Sequence, residues 1–371
     1  MPRDILLVGG VGLDNAETVF RTLGSQLGTR VKRLSDGETG YARSVWIQCQ
    51  KPFFFGHPLL EDMERDPEHP DQLRPARVPS KGLYSHSAEG RYGGRSRLRA
   101  GVNPADLHFD NIGYGDWAIE SYGILKRLKS EGAVPASTKF QVCIPSVRVI
   151  LNAHVLPEAV AQVSGPYTEA MKNEIARMAA AIPHDELAIQ WDCTEPIAYE
   201  GAPGGPSDQS AAAQMQRSSG PGNRDAINAS LAEYATYVPD DVEMGYHLCY
   251  GDFEHKHGVQ PASLAASVEM SNALAASVKR PIAWMHMPVP RDRSDDAYFA
   301  PLRDLKLKPE TQLYLGLVHH TDGVEGTKKR IETANKYAGD YGIATECGWG
   351  RRPPETLTEL IEIHKQAADL P

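Results

Sequence analysis

Apolar residues recur along the chain in eight short runs, at 5–8, 31–35, 140–144, 187–191, 243–249, 282–286, 313–318 and 342–346. Each is closed by loop or polar residues, such as Gly9-Gly10, Asp36-Gly37-Glu38, Pro145-Ser146, Asp192 and His319-His320. Runs of four to eight apolar residues bounded in this way predict buried β-strands. Between them, apolar positions return at helical spacing over 116–129, 168–181, 262–278, 326–337 and 355–368. In the first of these, positions 117, 119, 124, 125 and 128 are apolar and Asp116 is the predicted N-cap. Pro353 and Pro354 precede the last, as suits a helix start. Eight strands mostly alternating with helices predict the α/β class, a single (β/α)8 TIM barrel over residues 1–371.

Two stretches break the rhythm. Residues 39–112, rich in Pro, Gly, Arg and aromatics, separate the second strand from its helix and predict an inserted lid or small subdomain. Residues 199–224, rich in Gly, Ser, Pro and Gln, follow the fourth strand and predict a flexible flap. Both follow the C-terminal ends of strands, the face that carries the active site in a TIM barrel. Phe53, Phe54, Phe55, Trp46 and Tyr84 could line an aromatic pocket there, or form the insertion's own core, which is the more ordinary use of such residues.

Composition narrows the class further. With 41% hydrophobic residues, a 371-residue chain can bury a full core. Its net charge of −9, without a long run of either sign, argues against nucleic acid or an acidic membrane surface as partner. Five scattered cysteines, with no apolar stretch of membrane-spanning length and no signal-peptide pattern, predict a reducing cytoplasm. Oligomeric state is not readable from these features.

The chemistry gathers at the strand ends. His247 and Cys249 are two residues apart in a predicted strand, so an imidazole and a thiol share one face. Cys347 closes another predicted strand. An isolated His-x-Cys is commonly a packed histidine beside a buried thiol. Here, however, a barrel would bring Gly10, Asp36, Glu38, Asp192, Glu195, His247, Cys249, His286, His319, His320 and Cys347 to one mouth. Soft N and S donors of this kind suit a zinc ion, which takes four ligands and in catalytic sites keeps one position exchangeable.

Several short motifs resemble those of the catalytic domain of cobalamin-independent methionine synthases, within the superfamily shared with uroporphyrinogen decarboxylase. Val8-Gly9-Gly10-Val11 is similar to the family's Ile-Gly-Ser-Phe, which holds a substrate carboxylate. Asp36-Gly37-Glu38 is similar to its His-Gly-Glu, whose glutamate binds the substrate amine. Ile189-Gln190-Trp191-Asp192, with Glu195-Pro196 beyond it, resembles Ile-Gln-Ile-Asp-Glu-Pro. His247-x-Cys249 and Glu346-Cys347-Gly348 resemble the zinc-binding His-x-Cys and Asp-Cys-Gly. The resemblance implies a TIM barrel holding zinc through His247, Cys249 and Cys347. It puts His286 nearest the remaining ligand, a glutamate in the family, with Glu269 as the alternative by spacing. His319 or His320 stands near the family's proton-donor histidine. Two departures bear on substrate. The stretch 146–151 has no tryptophan where the family stacks folate, and Gly10 replaces a serine at the homocysteine site.

The implied reaction is transfer of a methyl or larger alkyl group from a small-molecule donor to a zinc-activated thiol. Epoxide opening by a thiol, known among zinc enzymes of the same superfamily, is a sub-case. His320 or His319 would act as proton donor, and Asp192 would stand beside the reacting groups. Gly10, Asp36, Glu38, Asp192 and Glu195 would bind the substrates. Arg291, Arg293, Arg351 and Arg352 could receive a carboxylate or sulfonate, or be ordinary rim arginines. The alternatives are a zinc hydrolase or lyase, a metal-free decarboxylase of the same superfamily, and a binding protein with structural zinc.

Overall fold

The structure is a computed structural model that describes residues 2–40, 43–66, 68–69, 72–75, 94–200, 223–253, 256–257 and 259–371. The strands, in chain order, are β1 (Arg33–Leu34), β2 (Leu60–Arg65), β3 (Leu73–Pro75), β4 (Arg95–Leu98), β5 (Lys139–Pro145), β6 (Leu187–Cys193), β7 (Glu243–Leu248), β8 (Asp252–Phe253), β9 (Lys256–His257), β10 (Trp284–Pro288), β11 (Gln312–Val318) and β12 (Gly342–Thr345). Seven of them form one parallel sheet, ordered β1-β5-β6-β7-β10-β11-β12. The first apolar run joins its two edges at a single residue. Ile5 bridges in parallel to Val31 on one side and Ile343 on the other. Its amide bonds the Arg30 carbonyl at 2.9 Å, and the Leu6 amide bonds the Ile343 carbonyl at 2.9 Å. The arrangement is TIM-like, with seven of the eight expected strands in the named sheet.

Strands buried on both faces need near-continuous apolar sequence, and β6 is buried from end to end. On its outer face Trp191 meets Tyr234 of the helix Arg224–Ala235, with ring centroids 5.3 Å apart. The inner face carries a separate small cluster of Leu6, Val8, Ala188, Trp284, Tyr314 and Ala344. Gly245 makes room for it, because a Cβ there would lie 2.1 Å from the Trp284 ring. At the end where the strands begin, Arg33 lies over that indole at 4.3 Å and pairs with Glu243 at 2.7 Å. The interior is therefore packed from below. Higher up, the Gln141 amide donates to the Leu7 carbonyl at 2.9 Å, and Gln190 donates to the Val8 carbonyl at 2.5 Å.

The predicted helices are present with shifted ends: Tyr114–Ser130, Val160–Ala181, Ala265–Ser277, Gly323–Ala334 and Leu357–Ala368. Asp116 is not an N-cap. That position belongs to Gly113 at φ 91°, and Asp116 pairs outward with Arg177. The helix start is instead satisfied across space, where the buried Glu174 carboxylate accepts the amides of Ile112 and Gly115. A further helix, Val147–His154, follows β5.

The described part of the 39–112 stretch contains the antiparallel sheet β3-β2-β4 and the short helix Lys51–Phe54. Phe54 is fully buried and stacks on Tyr167 at 5.0 Å and His154 at 5.4 Å. It thus packs into the main core against the helices Val147–His154 and Val160–Ala181, rather than into a separate core of the insertion, and Trp46 lines a pocket. Tyr84 lies outside the described residues, as does the expected flap from 201 to 222. No helix among the described residues is long and apolar enough to cross a membrane.

Candidate metal and substrate site

Strand register builds the centre of the site. Asp192 of β6 pairs with His247 of β7, and His247 pairs with His286 of β10. Residues opposite one another in parallel strands share a face, so the three side chains form one row above the Trp284 layer. Two residues on from His247, Cys249 shares its face. Cys347 arrives from the loop after β12.

His247, Cys249 and Cys347 offer ligand atoms that all lie within 4.8 Å of one another. The two sulfurs are 4.0 Å apart, far beyond a disulfide bond. Two thiolates on one tetrahedral zinc ion, each at about 2.3 Å, would be about 3.8 Å apart. The donor set and its spacing therefore fit that ion. The Cys347 loop is held in place by its own hydrogen bonds. Thr345 Oγ1 donates to the Cys347 carbonyl at 2.6 Å and accepts from Trp349 Nε1 at 2.9 Å. The Trp349 amide bonds the Gly10 carbonyl at 2.5 Å. Gly348 presses so closely on Gly10 that a Cβ would meet the Gly10 amide nitrogen at 2.8 Å. Gly10 thus seats the Cys347 loop as well as standing beside the Glu38 carboxylate.

His286, expected as the fourth ligand, lies outside this group of three. Its Nδ1 is 2.7 Å from His247 Nδ1, and burial pushes its imidazole down to about 3 against the opposing pull of the Thr345 backbone and Glu346. Glu269 is exposed on the helix Ala265–Ser277, where both carboxylate oxygens lie 2.9 Å from Arg224 Nη1. It therefore points away from the thiols.

The two candidate proton-donor histidines have different surroundings. His319 is buried, with Nε2 2.9 Å from the Val289 carbonyl and Nδ1 2.9 Å from Glu346 Oε2. Burial alone would raise the Glu346 carboxyl, but His319 and Arg352, the latter at 3.6 Å, hold it at about 2. His320 turns instead to the exposed Glu359 at 3.0 Å.

A group of carboxylates gathers at the ends of the same strands, Asp192 opposite His247 and Glu38 against Gly10. Burial disfavours the charge on Asp36, yet the Arg43 guanidinium, at 2.5 and 3.1 Å, keeps its carboxyl below the usual value, with Ser121 donating at 2.7 Å. Glu38, at φ 51°, is pushed up to about 7 by burial and by Asp36, against the pull of Arg43 and Arg351. Asp192 is raised well above the usual carboxylate range by burial and by Glu38, although Gln190 donates to it at 2.9 Å. Glu195 is also raised by burial, and Ser146 donates to it at 2.5 Å. Glu38, Arg43, Trp46, Cys49, Tyr114, Trp117, Cys143 and Pro145 line a small pocket.

Of the arginines, Arg351 and Arg352 act on the carboxylates Glu38 and Glu346. Arg291 bonds Thr321 at 3.1 Å, and Arg293 pairs with Asp295 at 2.8 Å. The motifs had not singled out Arg43, Ser121 or Ser146. Of these only Ser146 carries a local signal. It follows a strand and caps the next helix by accepting the Val149 amide at 3.2 Å.

No family model matches the sequence, and no curated protein matches it. Solved structures do share its fold. A B12-independent methionine synthase of Shewanella sp. W3-18-1, in complex with selenomethionine, superposes with TM-score 0.57 at 12% identity, covering 100% of this chain and 97% of that one. A Listeria monocytogenes protein assigned as a vitamin-B12-independent methionine synthase gives 0.50 at 14% identity, over 95% and 86%. A methyltransferase from Methanosarcina mazei gives 0.50 at 12% identity, over 98% and 94%. The chain therefore has the fold of methionine-synthase-like proteins.

Proposed function

We propose that this chain transfers a methyl or other alkyl group from a small-molecule donor to a substrate thiol at a zinc centre. One observation carries the reading: the convergence of His247, Cys249 and Cys347 within 4.8 Å, past the C-terminal ends of parallel strands. That is the face where TIM barrels place their chemistry. The methionine-synthase-like and methyltransferase neighbours support it. In this reading residues 1–371 are one barrel in which the Ile5 run is the eighth stave, with 39–112 as lid and 199–224 as flap.

Bound zinc would lower the pKa of an incoming thiol, so that a nucleophilic thiolate exists at neutral pH. The chain's own residues then bind, orient and move protons. Glu38 and Asp192 offer buried carboxylates to a polar or cationic substrate group, and Arg43 fixes the Asp36 turn that carries Glu38. Glu195, held by Ser146, supplies a second acid beyond β6. His319, 2.9 Å from Glu346, is the candidate proton donor to the leaving group. Gly10 would meet the substrate on the side of the Glu38 carboxylate, where a Cβ would lie 3.1 Å from Glu38 Oε2. Arg291 would meet a carboxylate at the rim. Folate and homocysteine are not the expected pair, because the third-strand tryptophan and the first-strand serine are both missing.

The test is elemental analysis of the purified wild type and of Cys249→Ser and Cys347→Ser, followed by thiol-dependent turnover with methyl and epoxide donors. About one zinc per chain, lost in both variants, together with thiol-dependent turnover, supports the reading. A wild type that takes up no zinc, or turnover indifferent to thiols, refutes it in favour of decarboxylase or hydrolase chemistry.

A further inference from the structure

The structure assigns His286 a positioning role: we propose that it holds His247 by Nδ1, so that the zinc centre has three protein ligands and one position left for the substrate thiol. This inference rests on the zinc reading above and deepens it. His247 and His286 are directly opposed in β7 and β10, with ring centroids 4.8 Å apart and planes at 36°. Their Nδ1 atoms are 2.7 Å apart, a hydrogen-bond distance. Two imidazole nitrogens on one tetrahedral zinc, each at about 2.05 Å, would stand about 3.3 Å apart. His286 is also outside the group whose ligand atoms lie within 4.8 Å of one another.

The Thr345 backbone lies close enough to favour the charged His286 imidazole, while the buried His286 Nε2 has no hydrogen-bond partner among the described residues. Gly316 lets that backbone come close, since a Cβ at 316 would lie 2.9 Å from the Thr345 carbonyl. An Nδ1–Nδ1 contact needs one ring to donate and the other to accept, and in this proposal His286, with its proton on Nε2, is the acceptor. His247 then donates from Nδ1 and keeps the Nε2 lone pair for the metal. Metal-bound histidines commonly have the other ring nitrogen held in this way, and losing the holder costs about 10–100-fold in metal affinity. The same Thr345 bonds the Cys347 carbonyl through its hydroxyl, at 2.6 Å. One residue of β12 thereby supports the holder of one ligand and the loop of another. The arrangement leaves zinc with two thiolates and one neutral imidazole, a neutral centre before a substrate thiolate enters.

The experiment uses the full chain loaded with zinc. X-ray absorption at the zinc edge of the wild type reads the ligand shell, and competition with a chromophoric chelator reads the affinity of the wild type, His286→Ala, His286→Gln and Cys249→Ser. The expected shell has two sulfurs and one imidazole. His286→Ala should still bind one zinc, about 10–100-fold more weakly. His286→Gln, whose side-chain oxygen can accept from His247, should recover part of the loss. A shell with two imidazoles overturns the assignment even if His286→Ala does not fold. So does a folded His286→Ala that loses zinc as completely as Cys249→Ser. A wild type without zinc overturns both this inference and the function beneath it, whereas two imidazoles overturn this inference alone.

Discussion

Replacing Glu38 by Gln removes one charge from the site while keeping the shape of the side chain and its tolerance of φ 51°. Burial first, and the neighbouring Asp36 second, lift the Glu38 carboxyl from its ordinary 4.5 to about 7. A raised carboxyl means that the folded state holds this proton more tightly than the unfolded state. Between pH 4.5 and 7 the folded protein therefore binds more protons, and stability falls as pH rises through that window. The full displacement corresponds to about 3 kcal/mol. Part of Glu38 is open to solvent, so about 2 kcal/mol is the working figure. For 371 residues, an unfolding entropy of about 2.1 cal/mol/K per residue turns this into a shift in Tm of about 3 °C. Thermal unfolding of the substrate-free protein across this window should show the Gln variant indistinguishable from wild type below pH 4.5. Above pH 7 it should be the more stable of the two. Parallel curves over the whole range would refute the reading of Glu38 as a largely buried acid whose charge Arg43 and Arg351 only partly offset.

Three other outcomes follow from contacts in the core and at the mouth. Gly245→Ala would press a methyl group against the buried Trp284 ring, 2.1 Å from its nearest atom, and should cost about 1–3 kcal/mol in chemical denaturation; an unchanged midpoint would mean that the indole does not fill the interior. His319→Ala leaves the buried Glu346 without its 2.9 Å partner and should cost about 3–5 kcal/mol near neutral pH. Because Glu346 is held at about 2, below its ordinary 4.5, its stabilisation is present above pH 4.5 and fades as pH falls towards 2, so the gap between the proteins should close there; a gap that stays constant in acid would contradict the pairing. His320→Ala removes only a pair with the exposed Glu359 and should change stability by less than about 1 kcal/mol. A large loss of turnover in that variant, with zinc and fold intact, would move the proton-donor role from His319 to His320.

Much of the scaffold was legible because its signals are local. Alternation of apolar runs with helical spacing marked every strand of the main sheet, and His247-x-Cys249 placed two donors on one face by the two-residue period alone. Cys347 followed from its place after a strand. The errors fell where a partner comes from far away in sequence. Asp116 looked like an N-cap, but the carboxylate of Glu174, 59 residues from Gly115, satisfies that helix start. Ser121, 85 residues from Asp36, donates to that carboxylate at 2.7 Å, and no motif along the chain marked it.

The residue types at the mouth, and the side of each strand on which they lie, were thus determined by sequence, because periods of 2 and 3.6 residues are properties of a single chain segment. What each group does there was decided by tertiary structure. Whether His286 is a ligand or the holder of one depends on the β7–β10 register and on 2.7 Å between two nitrogens. Whether Glu38 is charged depends on how Asp36, Arg43 and Arg351 surround it. Coulomb energies, desolvation and hydrogen bonds vary over a few ångströms between groups, whether near or distant in sequence, and no pattern along the chain encodes those distances.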